Sequence, residues 1–373
     1  MSVGHFRSLN PHKQLEKYYG DEFEVSLRIP GLTALVTEED LGRFEIINFH
    51  RRINQPGAPT LEWIKKFKEA GAVVVGDHDD HFLPPHGHPA RQAVLESKAH
   101  FDIVAHARAS DYVTTTTQIF KDVIAKETGF PKDKIEIFPN LLEMDAKMWN
   151  TDPIPSDRVR VGYIGGSSHE KDIDLMKGTF KRLYEDVETK DKIQIVMCGY
   201  DTKGSMTVTN PLTGEKKTRK IKPEESVWNK FEAVFNANGI ADENQYVRRH
   251  TMPITQYGMH YDYCDVCLAP LVGTNTFNIV KSELKALEAG VKHKSLIASD
   301  VAIYHEVLEH EKTALLVNPK KNHKQWYQHI KRLVVDDDLR NRLADNLNKF
   351  VLKEYDAEKW TAKRAEFYRR IVR

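Results

Sequence analysis

Cysteine, excess charge and long apolar runs are all scarce in this chain of 373 residues. Three cysteines in so long a chain argue against a disulfide framework and favour a reducing compartment, so we expect a cytoplasmic protein. The opening residues, MSVGHFRSLNPHKQ, lack the apolar core of a signal peptide. No apolar run approaches the roughly 18 residues that span a bilayer, so we expect no integral membrane segment.

Charge of neither sign dominates, since Lys and Arg number 55 and Asp and Glu number 54. A nucleic-acid-binding protein more often has a clear basic excess, although a local patch can serve the same purpose. Overall charge therefore indicates no particular partner. The length suits two domains better than one.

Short β-rich runs alternate with longer helical stretches, and the pattern occurs twice. The first set of predicted strands covers residues 23–27, 44–49, 72–76, 112–115 and 135–138, with a helix over 61–70 that ends at Gly71. The second set covers residues 159–164, 193–197, 266–269, 295–298 and 314–317. Nearly continuous apolar strands separated by helices favour parallel sheets covered on both faces. We therefore predict an α/β protein with two doubly wound, Rossmann-like domains facing a cleft, where ligands usually bind.

The turn-forming sequence NTDPIPS marks the predicted junction between the two domains. The predicted domains are an acceptor-side domain over 1–152 and a nucleotide-sugar-binding domain over 153–352. Residues 353–373 are predicted to form a last helix that packs back toward the first domain, because Trp360, Phe367 and Ile371 share one stripe.

A hairpin-like excursion is predicted between Thr202 and Trp228, with a turn near residues 210–214. Its basic residues are Lys216, Lys217, Arg219, Lys220 and Lys222. Two interpretations remain open: a solvated charged loop, or a basic arm that meets an anionic acceptor.

The sequence VGYIGGSSHEKD places a Gly-Gly turn between a predicted strand and a helix. Gly165 and Gly166 allow close approach of a phosphate, and Ser167 and Ser168 can cap the helix or bind oxygen. The turn is also explained as a plain strand-to-helix connection. No Gly-Lys-Ser/Thr follows, so it is not a P-loop, and the dinucleotide fingerprint lacks its third glycine.

A second candidate site lies in the loop and helix of residues 270–290, whose helix is predicted to begin near Asn278. Lys281, Lys285 and Glu288 are spaced by four and three residues, which places them along one helical face. A surface ladder of salt bridges explains this spacing. A ligand site also explains it, because a carboxylate can accept from a ribose diol and lysines can bind a diphosphate.

The segment APLVGTNTFNIVKSELKALEAGVKHKSLIASDVAIYHEVLEHEKTALLV resembles the donor-binding segment of GT-B glycosyltransferases. The resemblance extends to GGSSHEKD and CGYD, and upstream through VVVGDHDDHF, SDYVTTTT and IFPN, to retaining, family-four-like members from bacteria and phages. It implies a nucleotide-diphosphate sugar such as a UDP-sugar as donor, no required cofactor and no metal. The donor-binding residues it implies are Gly165, Gly166, Ser167, His169, Arg249, Thr276, Phe277, Asn278, Lys281, Ser282 and Glu288.

One position departs from the pattern of that family. Many retaining members have two glutamates eight residues apart, the first contacting the sugar and the second the ribose. Glu288 matches the second, but Val280 occupies the first position. Asn278 or the loop of residues 273–277 then supplies the sugar contacts.

The sequence GDHDDHF gathers polar residues after the third predicted strand. We predict that Asp77, His78, Asp79 and Asp80 are catalytic, orienting an acceptor hydroxyl or taking its proton. With His81 the same cluster can instead bind Mn, Fe or Zn, as in a metal-dependent hydrolase. A third interpretation makes Asp79 and Asp80 caps of the following turn. Further acceptor-side candidates are Asn48, His50, Arg51, Thr115 and Thr116.

Cys264 and Cys267 form a CxxC sequence, but only Cys198 remains to complete a zinc site, so we interpret them as small buried thiols. The predicted function is transfer of a sugar from a nucleotide sugar to a hydroxyl, without a metal and with retention. The acceptor is either a glycan or, in phage DNA, a hydroxymethylated pyrimidine, in which case the protein acts in the host cytoplasm.

Overall fold

The chain divides into two units, each with a parallel sheet. The structure is a computed structural model that describes residues 4–29, 33–54, 58–201, 205–209 and 216–372. Unit 1 comprises Met1–Glu143, Gly273–Leu287 and Val351–Arg373, and unit 2 comprises Met144–Val272 and Glu288–Phe350.

The strands and helices follow one another in the alternation expected of an α/β chain. The strands are β1 (Ile46–His50), β2 (Val73–Asp77), β3 (Tyr112–Thr115), β4 (Ile135–Ile137), β5 (Val159–Ile164), β6 (Ile193–Tyr200), β7 (Ser205–Thr209), β8 (Lys216–Lys220), β9 (Tyr246–His250), β10 (Val266–Ala269), β11 (Ser295–Ser299) and β12 (Leu315–Val317). The helices are α1 (Asn10–Tyr19), α2 (Thr60–Glu69), α3 (Arg91–Glu96), α4 (Ala99–Ala109), α5 (Gln118–Thr128), α6 (Glu170–Ile173), α7 (Thr179–Glu185), α8 (Val227–Phe235), α9 (Thr276–Ile279), α10 (Leu284–Val291), α11 (Ala302–Val307), α12 (Asn322–Val335), α13 (Asp337–Glu354) and α14 (Ala357–Ile371).

The sheet of unit 1 has the sequential order β1-β2-β3-β4, all parallel. Right-handed crossovers in one direction place the connecting helices on one face. There Val74 packs with residues of α2, and Val113 packs with residues of α4 and α5. The opposite face is covered by the chain's first and last helices, since Val75 clusters with Leu15 of α1 and Phe367 of α14.

The prediction of a strand over residues 23–27 is wrong. Phe23, Val25 and Leu27 are half-buried and alternate with exposed Glu24 and Ser26, as in a strand with one buried face. This segment nevertheless joins no sheet, and among the described residues β1 pairs only with β2. Alternating burial shows that one side of a segment is buried, but it does not show that the segment hydrogen-bonds to a neighbouring strand.

The sheet of unit 2 has the order β12-β11-β10-β5-β6-β9, and every pair is parallel. In chain order this is the 3-2-1-4-5-6 arrangement of a dinucleotide-binding fold, whose order reverses between β5 and β10. Arg248 and Arg249 lie within the edge strand β9.

The predicted hairpin is confirmed, since β7 and β8 pair in antiparallel register. Lys220 and Lys222 are exposed. The side chains of Lys216, Lys217 and Arg219 lie outside the described residues.

The single helix predicted from about Asn278 to residue 290 is wrong. A one-turn helix, α9, ends at Ile279, and α10 begins at Leu284. Lys281 lies in the break and does not share a helical face with Lys285 and Glu288. Val280, which follows α9 directly, is fully buried in the core of unit 1 with Phe82 and Phe120. No helix in the described part of the chain has the length and apolar character to cross a membrane.

Candidate functional site

The carboxyl ends of β1, β2 and β3 bring polar side chains together in unit 1. Strand register sets His50 beside Asp77 and Asp77 beside Thr114. The backbone amide of His78 donates to the carbonyl of Thr114 at 2.9 Å, which continues the alignment one residue beyond the strands. We call this group, consisting of Asn48, His50, Arg51, His78, Asp79, Thr115 and Thr116, the edge cluster.

A buried ion pair lies beneath the edge cluster. The Arg7 guanidinium donates to both carboxylate oxygens of Asp77, at 3.0 and 2.5 Å, and to the carbonyl of Phe138 at 2.6 Å. The hydroxyl of Thr114 also donates to Asp77, at 2.6 Å. Burial by itself raises the pKa of Asp77, but the charge and hydrogen bonds of Arg7 outweigh it and the pKa lies below its usual value. Asp77 is thus ionised and occupied by these partners.

His50 and Asp79 form a histidine–carboxylate pair within the edge cluster. The ring Nε2 of His50 lies 2.8 Å from Oδ1 of Asp79, and Arg51 donates to the same oxygen at 3.2 Å. Burial opposes ionisation of Asp79, yet the hydrogen bond and charge of His50, together with Arg51, lower its pKa. Because an ionised carboxylate only accepts hydrogen bonds, Nε2 of His50 is the donor. In the neutral form of the ring, Nδ1 is then an acceptor.

His78 is fully buried, and neither ring nitrogen has a hydrogen-bond partner in the described part of the structure. Burial, followed by the positive charge of Arg51, lowers the pKa of His78 to about 3, so the ring is neutral at pH 7. Its ring packs edge-on against Phe82, with centroids 5.6 Å apart.

Other members of the edge cluster also have buried polar atoms without partners among the described residues. These atoms are Nδ2 of Asn48, Nε of Arg51 and the hydroxyls of Thr115 and Thr116. A buried polar group without a partner costs roughly 1–3 kcal/mol, so such groups seldom gather unless they meet water or a ligand. The edge cluster is therefore a candidate binding site.

The carboxylate of Asp80 lies 3.8 Å from the guanidinium of Arg51, whereas His81 has a partner outside the edge cluster. Nε2 of His81 lies 2.8 Å from a carboxylate oxygen of Glu127, and Asp80 pairs with Lys281 at 3.7 Å. Within the described ranges, no three His, Cys, Asp or Glu side chains are arranged to hold a metal ion. The carboxylate of Asp79 is not a turn cap, because it binds His50 and Arg51.

Part of the predicted donor-binding segment belongs to unit 1. Asn140 donates to the hydroxyl of Ser282 at 2.8 Å, and the Lys281 ammonium lies 4.7 Å from the ring centre of Phe277. Asn275 caps α9 by accepting from the amide of Asn278 at 2.9 Å. Unit 1 therefore contains the following predicted donor-binding residues: Thr276, Phe277, Asn278, Lys281 and Ser282.

In unit 2 the glycine turn follows β5, at the point where the strand order reverses. Gly166, Ser167 and Ser168 are exposed. A side chain at Gly165 would collide with the ring of Tyr163, so this position needs glycine. The following helix, α6, is a single turn, and its dipole is correspondingly small. The backbone amides of the turn are the stronger anion-binding feature.

Asp172 joins the two loops at this reversal point. Its Oδ2 lies 2.7 Å from Nδ1 of His169, and its Oδ1 accepts from the backbone amide of Val272 at 2.7 Å. The hydroxyl of Ser299 accepts from the amide of Leu271 at 2.9 Å. The loops after β5, β10 and β11 are thus positioned by side chains.

Glu288 is almost fully buried, and two tyrosine hydroxyls donate to its Oε2: Tyr261 at 2.5 Å and Tyr257 at 3.3 Å. Burial, and then the charge of Glu288, raise the pKa of Tyr261 well above its usual value. Arg249, paired in register with Cys198, lies 4.1 Å above the ring of Tyr263. Its buried Nε has no partner in the residues described.

Two pairings in these sites could not be predicted from the sequence. Arg7 lies 70 residues before Asp77, and no local pattern connects them. The pairing of His50 with Asp79 depends on the register of β1 and β2, although both residues had been named as candidates. The prediction that Cys264 and Cys267 are buried thiols is confirmed.

The chain matches no known family and no curated protein by sequence. Solved structures resemble it. Anabaena HepE, solved with UDP and glucose, has a TM-score of 0.60 and 13% identity, over 89% of this chain and 80% of that chain. A glycosyltransferase from Rickettsia africae has a TM-score of 0.60 and 12% identity, over 97% and 88%. Sucrose-phosphate synthase from Thermosynechococcus elongatus has a TM-score of 0.60 and 14% identity, over 91% and 81%. At such identities the likeness shows the fold, and the predicted class, two Rossmann-like domains of the GT-B type, is confirmed.

Proposed function

We propose that the protein transfers a sugar from a nucleoside-diphosphate sugar, such as a UDP-sugar, to a hydroxyl acceptor. The observation that carries this proposal is the glycine turn at the strand-order reversal of unit 2, in a fold also found in HepE, which was solved with UDP and glucose. In open parallel sheets, ligands bind outside the carboxyl ends of the strands at such a point.

For the donor, we assign the diphosphate to the exposed amides of Gly166 and Ser167, with His169 and Arg249 supplying donors at the same sheet edge. We assign the ribose hydroxyls to Glu288. Its carboxylate can exchange the 3.3 Å contact with Tyr257, the longer of its two tyrosine contacts, for a hydrogen bond from a ribose hydroxyl. Fixed donors and positive charge stabilise the diphosphate as it leaves, the role that a metal ion plays in other enzymes. Transfer without a metal and with retention is part of this proposal.

For the acceptor, we assign the edge cluster. Nδ1 of His50 can accept a hydrogen bond from the acceptor hydroxyl while Asp79 orients the ring. His78, neutral at pH 7, supplies a further donor or acceptor. Asp77 serves as a positioning residue, because Arg7 and Thr114 occupy its carboxylate. Lys281 balances negative charge at this edge, near Asp80.

Release of nucleoside diphosphate from UDP-, GDP- and ADP-sugars tests the reaction. Glu288→Gln should weaken donor binding at least tenfold, and Lys281→Ala should lower turnover. The control for the first is Glu309→Gln, whose carboxylate makes an exposed ion pair with Lys312. Undiminished turnover in both Glu288→Gln and Lys281→Ala would overturn the assignment. The anomeric proton of the product reports retention, and turnover in a chelator reports metal independence.

His50→Gln separates the two sites. General acid–base groups contribute about 10²–10⁴-fold, so we expect kcat to fall by that order with little change in the dissociation constant of the donor. The matched control is His293→Gln, whose side chain is 61% exposed. If His50→Gln instead raises the dissociation constant of the donor and leaves kcat unchanged, His50 does not belong to the acceptor site.

The β7–β8 hairpin bears on the acceptor, because its second strand has the sequence KKTRK. A basic arm of this kind favours a polyanionic acceptor, such as DNA containing hydroxymethylated pyrimidines, over a neutral glycan. Binding to duplex DNA should then weaken steeply between two salt concentrations. If the protein does not bind duplex DNA at low salt, a glycan is the favoured acceptor.

A further inference from the structure

Unit 1 contains a cavity of about 350 Å³ on the side of β1 that pairs with no strand. Its wall includes both the extended segment of residues 23–29 and the edge strand β1. These two segments do not hydrogen-bond as strands, so the space beside β1 is left to the cavity. A volume of this size lies within the range of small-molecule pockets, about 300–1,000 Å³.

Hydrocarbon forms the larger part of the cavity wall. Apolar lining residues include Phe23, Val25, Leu27, Phe44, Ile47 and Phe49. An apolar cavity of this size favours a ligand with an apolar body, since burying hydrocarbon contributes roughly 25 cal/mol per Å².

Most polar groups in the wall already have partners. Nδ1 of His12 lies 2.7 Å from the carbonyl of Ser8, and its Nε2 lies 2.9 Å from the hydroxyl of Tyr368. Burial, and then the charge of Arg364, lower the pKa of His12 to about 4, so the ring carries no charge at pH 7. Asp40 is neutralised by Arg28 at 2.7 Å.

Two of the remaining polar groups in the wall are hydrogen-bond donors. Nδ2 of Asn48 is buried without a partner within the described ranges. Arg52 lines the cavity, and among the residues described its guanidinium forms no hydrogen bond or ion pair. Glu24 also lines the cavity, but it lies on the exposed side of the 23–27 alternation. A ligand that satisfies Asn48 and Arg52 therefore presents acceptors, and a negative charge complements Arg52.

We propose that this cavity binds an amphipathic organic anion, with its apolar body against the phenylalanines and its anionic head toward Arg52 and Asn48. Asn48 and His50 belong to both the cavity wall and the edge cluster, so a bound ligand lies next to that cluster. The proposal does not depend on sugar transfer, because binding is measured without a nucleotide sugar.

Calorimetric titration of the full chain tests the proposal with three probes: hexyl phosphate, hexan-1-ol and inorganic phosphate. Hexyl phosphate should bind at least tenfold more tightly than either of the other two, because it alone combines the chain with the charge. Equal affinity for hexyl phosphate and inorganic phosphate would reject the apolar part of the proposal. Equal affinity for hexyl phosphate and hexan-1-ol would reject the anionic part.

Two variants locate the site, each with a matched control. Leu27→Trp fills the cavity and should weaken hexyl phosphate binding at least tenfold, whereas Leu61→Trp, at a position 46% exposed on α2, should not. Arg52→Gln should weaken hexyl phosphate about tenfold without affecting hexan-1-ol; its control is Arg342→Gln, at an exposed position of unit 2. Thermal unfolding of each variant checks that it folds. Wild-type affinity in folded Leu27→Trp would overturn the proposal.

Discussion

At the scale of single residues, the Arg7–Asp77 pair shows how a predicted catalytic group becomes a structural one. Asp77 follows a buried strand, as a catalytic carboxylate does, and the sequence alone assigns it to chemistry. In the folded chain both members are about 1% exposed and satisfy each other. Their position under the edge cluster suits them to fix the orientation of the neighbouring His78 and Asp79.

Arg7→Ala tests that interpretation. Removing one partner of a buried ion pair leaves an uncompensated charge, so the free energy of unfolding should fall by about 3–5 kcal/mol. Urea denaturation followed by circular dichroism measures it. The control is Arg369→Ala, which breaks the exposed pair with Glu22 and should leave stability nearly unchanged. Equal effects from the two variants would contradict a buried pair.

Val280 shows the opposite case, a residue that looks like a missing functional group and is a core residue instead. The family resemblance places a sugar-binding glutamate at this position. Val280 is fully buried among apolar residues of unit 1, including Phe82 and Ile124. A carboxylate there would be buried without charge compensation, which explains the departure from the family pattern.

At the scale of elements, the last helix is a structural part of unit 1. On α14, Phe367 and Tyr368 are buried against Phe138 and Val75, across the sheet from the connecting helices. Sequential strand order leaves this face uncovered by any crossover, so the terminal helices must cover it.

Phe367→Ala should therefore destabilise unit 1 by about 3–5 kcal/mol, since truncating a buried phenylalanine removes apolar burial and leaves a cavity. The change is read from urea denaturation. Leu352→Ala, at a position 50% exposed, is the control and should change stability little. A small effect at Phe367 would mean that α14 contributes little to the core.

The turn between β5 and α6 depends on a second glycine in β6. Gly199 has a φ of +99°, and a Cβ there would lie 2.6 Å from the carbonyl oxygen of Gly165. Gly199→Ala should cost about 1–3 kcal/mol in the free energy of unfolding, through backbone strain and displacement of the turn. Gly166→Ala is the matched control, because its Cβ would meet no atom within 4 Å. Similar stability losses would show that the contact with Gly165 is unimportant.

At the scale of the whole molecule, buried neutral histidines predict a dependence of stability on pH. Burial lowers the pKa of His12 to about 4, of His78 to about 3 and of His329 to about 4. The unfolded chain binds protons at these rings below about pH 6.5, and the folded chain does so only at lower pH. Their contribution to stability is complete above about pH 6.5 and declines as the solution is acidified toward pH 4.

The buried rings of His78 and His329 should each lower the free energy of unfolding by about 2 kcal/mol between pH 7 and pH 5. The measurement is a urea titration at several pH values. His78→Gln removes one titrating group and should reduce the slope, whereas the exposed His293→Gln should not. An unchanged slope in His78→Gln would show that the folded protein protonates His78 near its ordinary pKa.

What the sequence determined by itself is the local pattern. Apolar runs and their spacing predicted both parallel sheets, because burial on two faces leaves a signature in a short window. The GT-B class was implied by the family resemblance of residues 269–317. Asn48, His50 and Arg51 were also found this way, as polar residues at a strand end.

Tertiary structure decided which of those residues act together. Strand order, the lack of a partner for residues 23–27 and the pairing of Arg7 with Asp77 all depend on contacts between segments far apart in the chain. Such contacts arise from sheet register and from competition for buried space, and neither is encoded in a local window. For the same reason the break at Val280 and the cavity beside β1 had no counterpart in the sequence pattern.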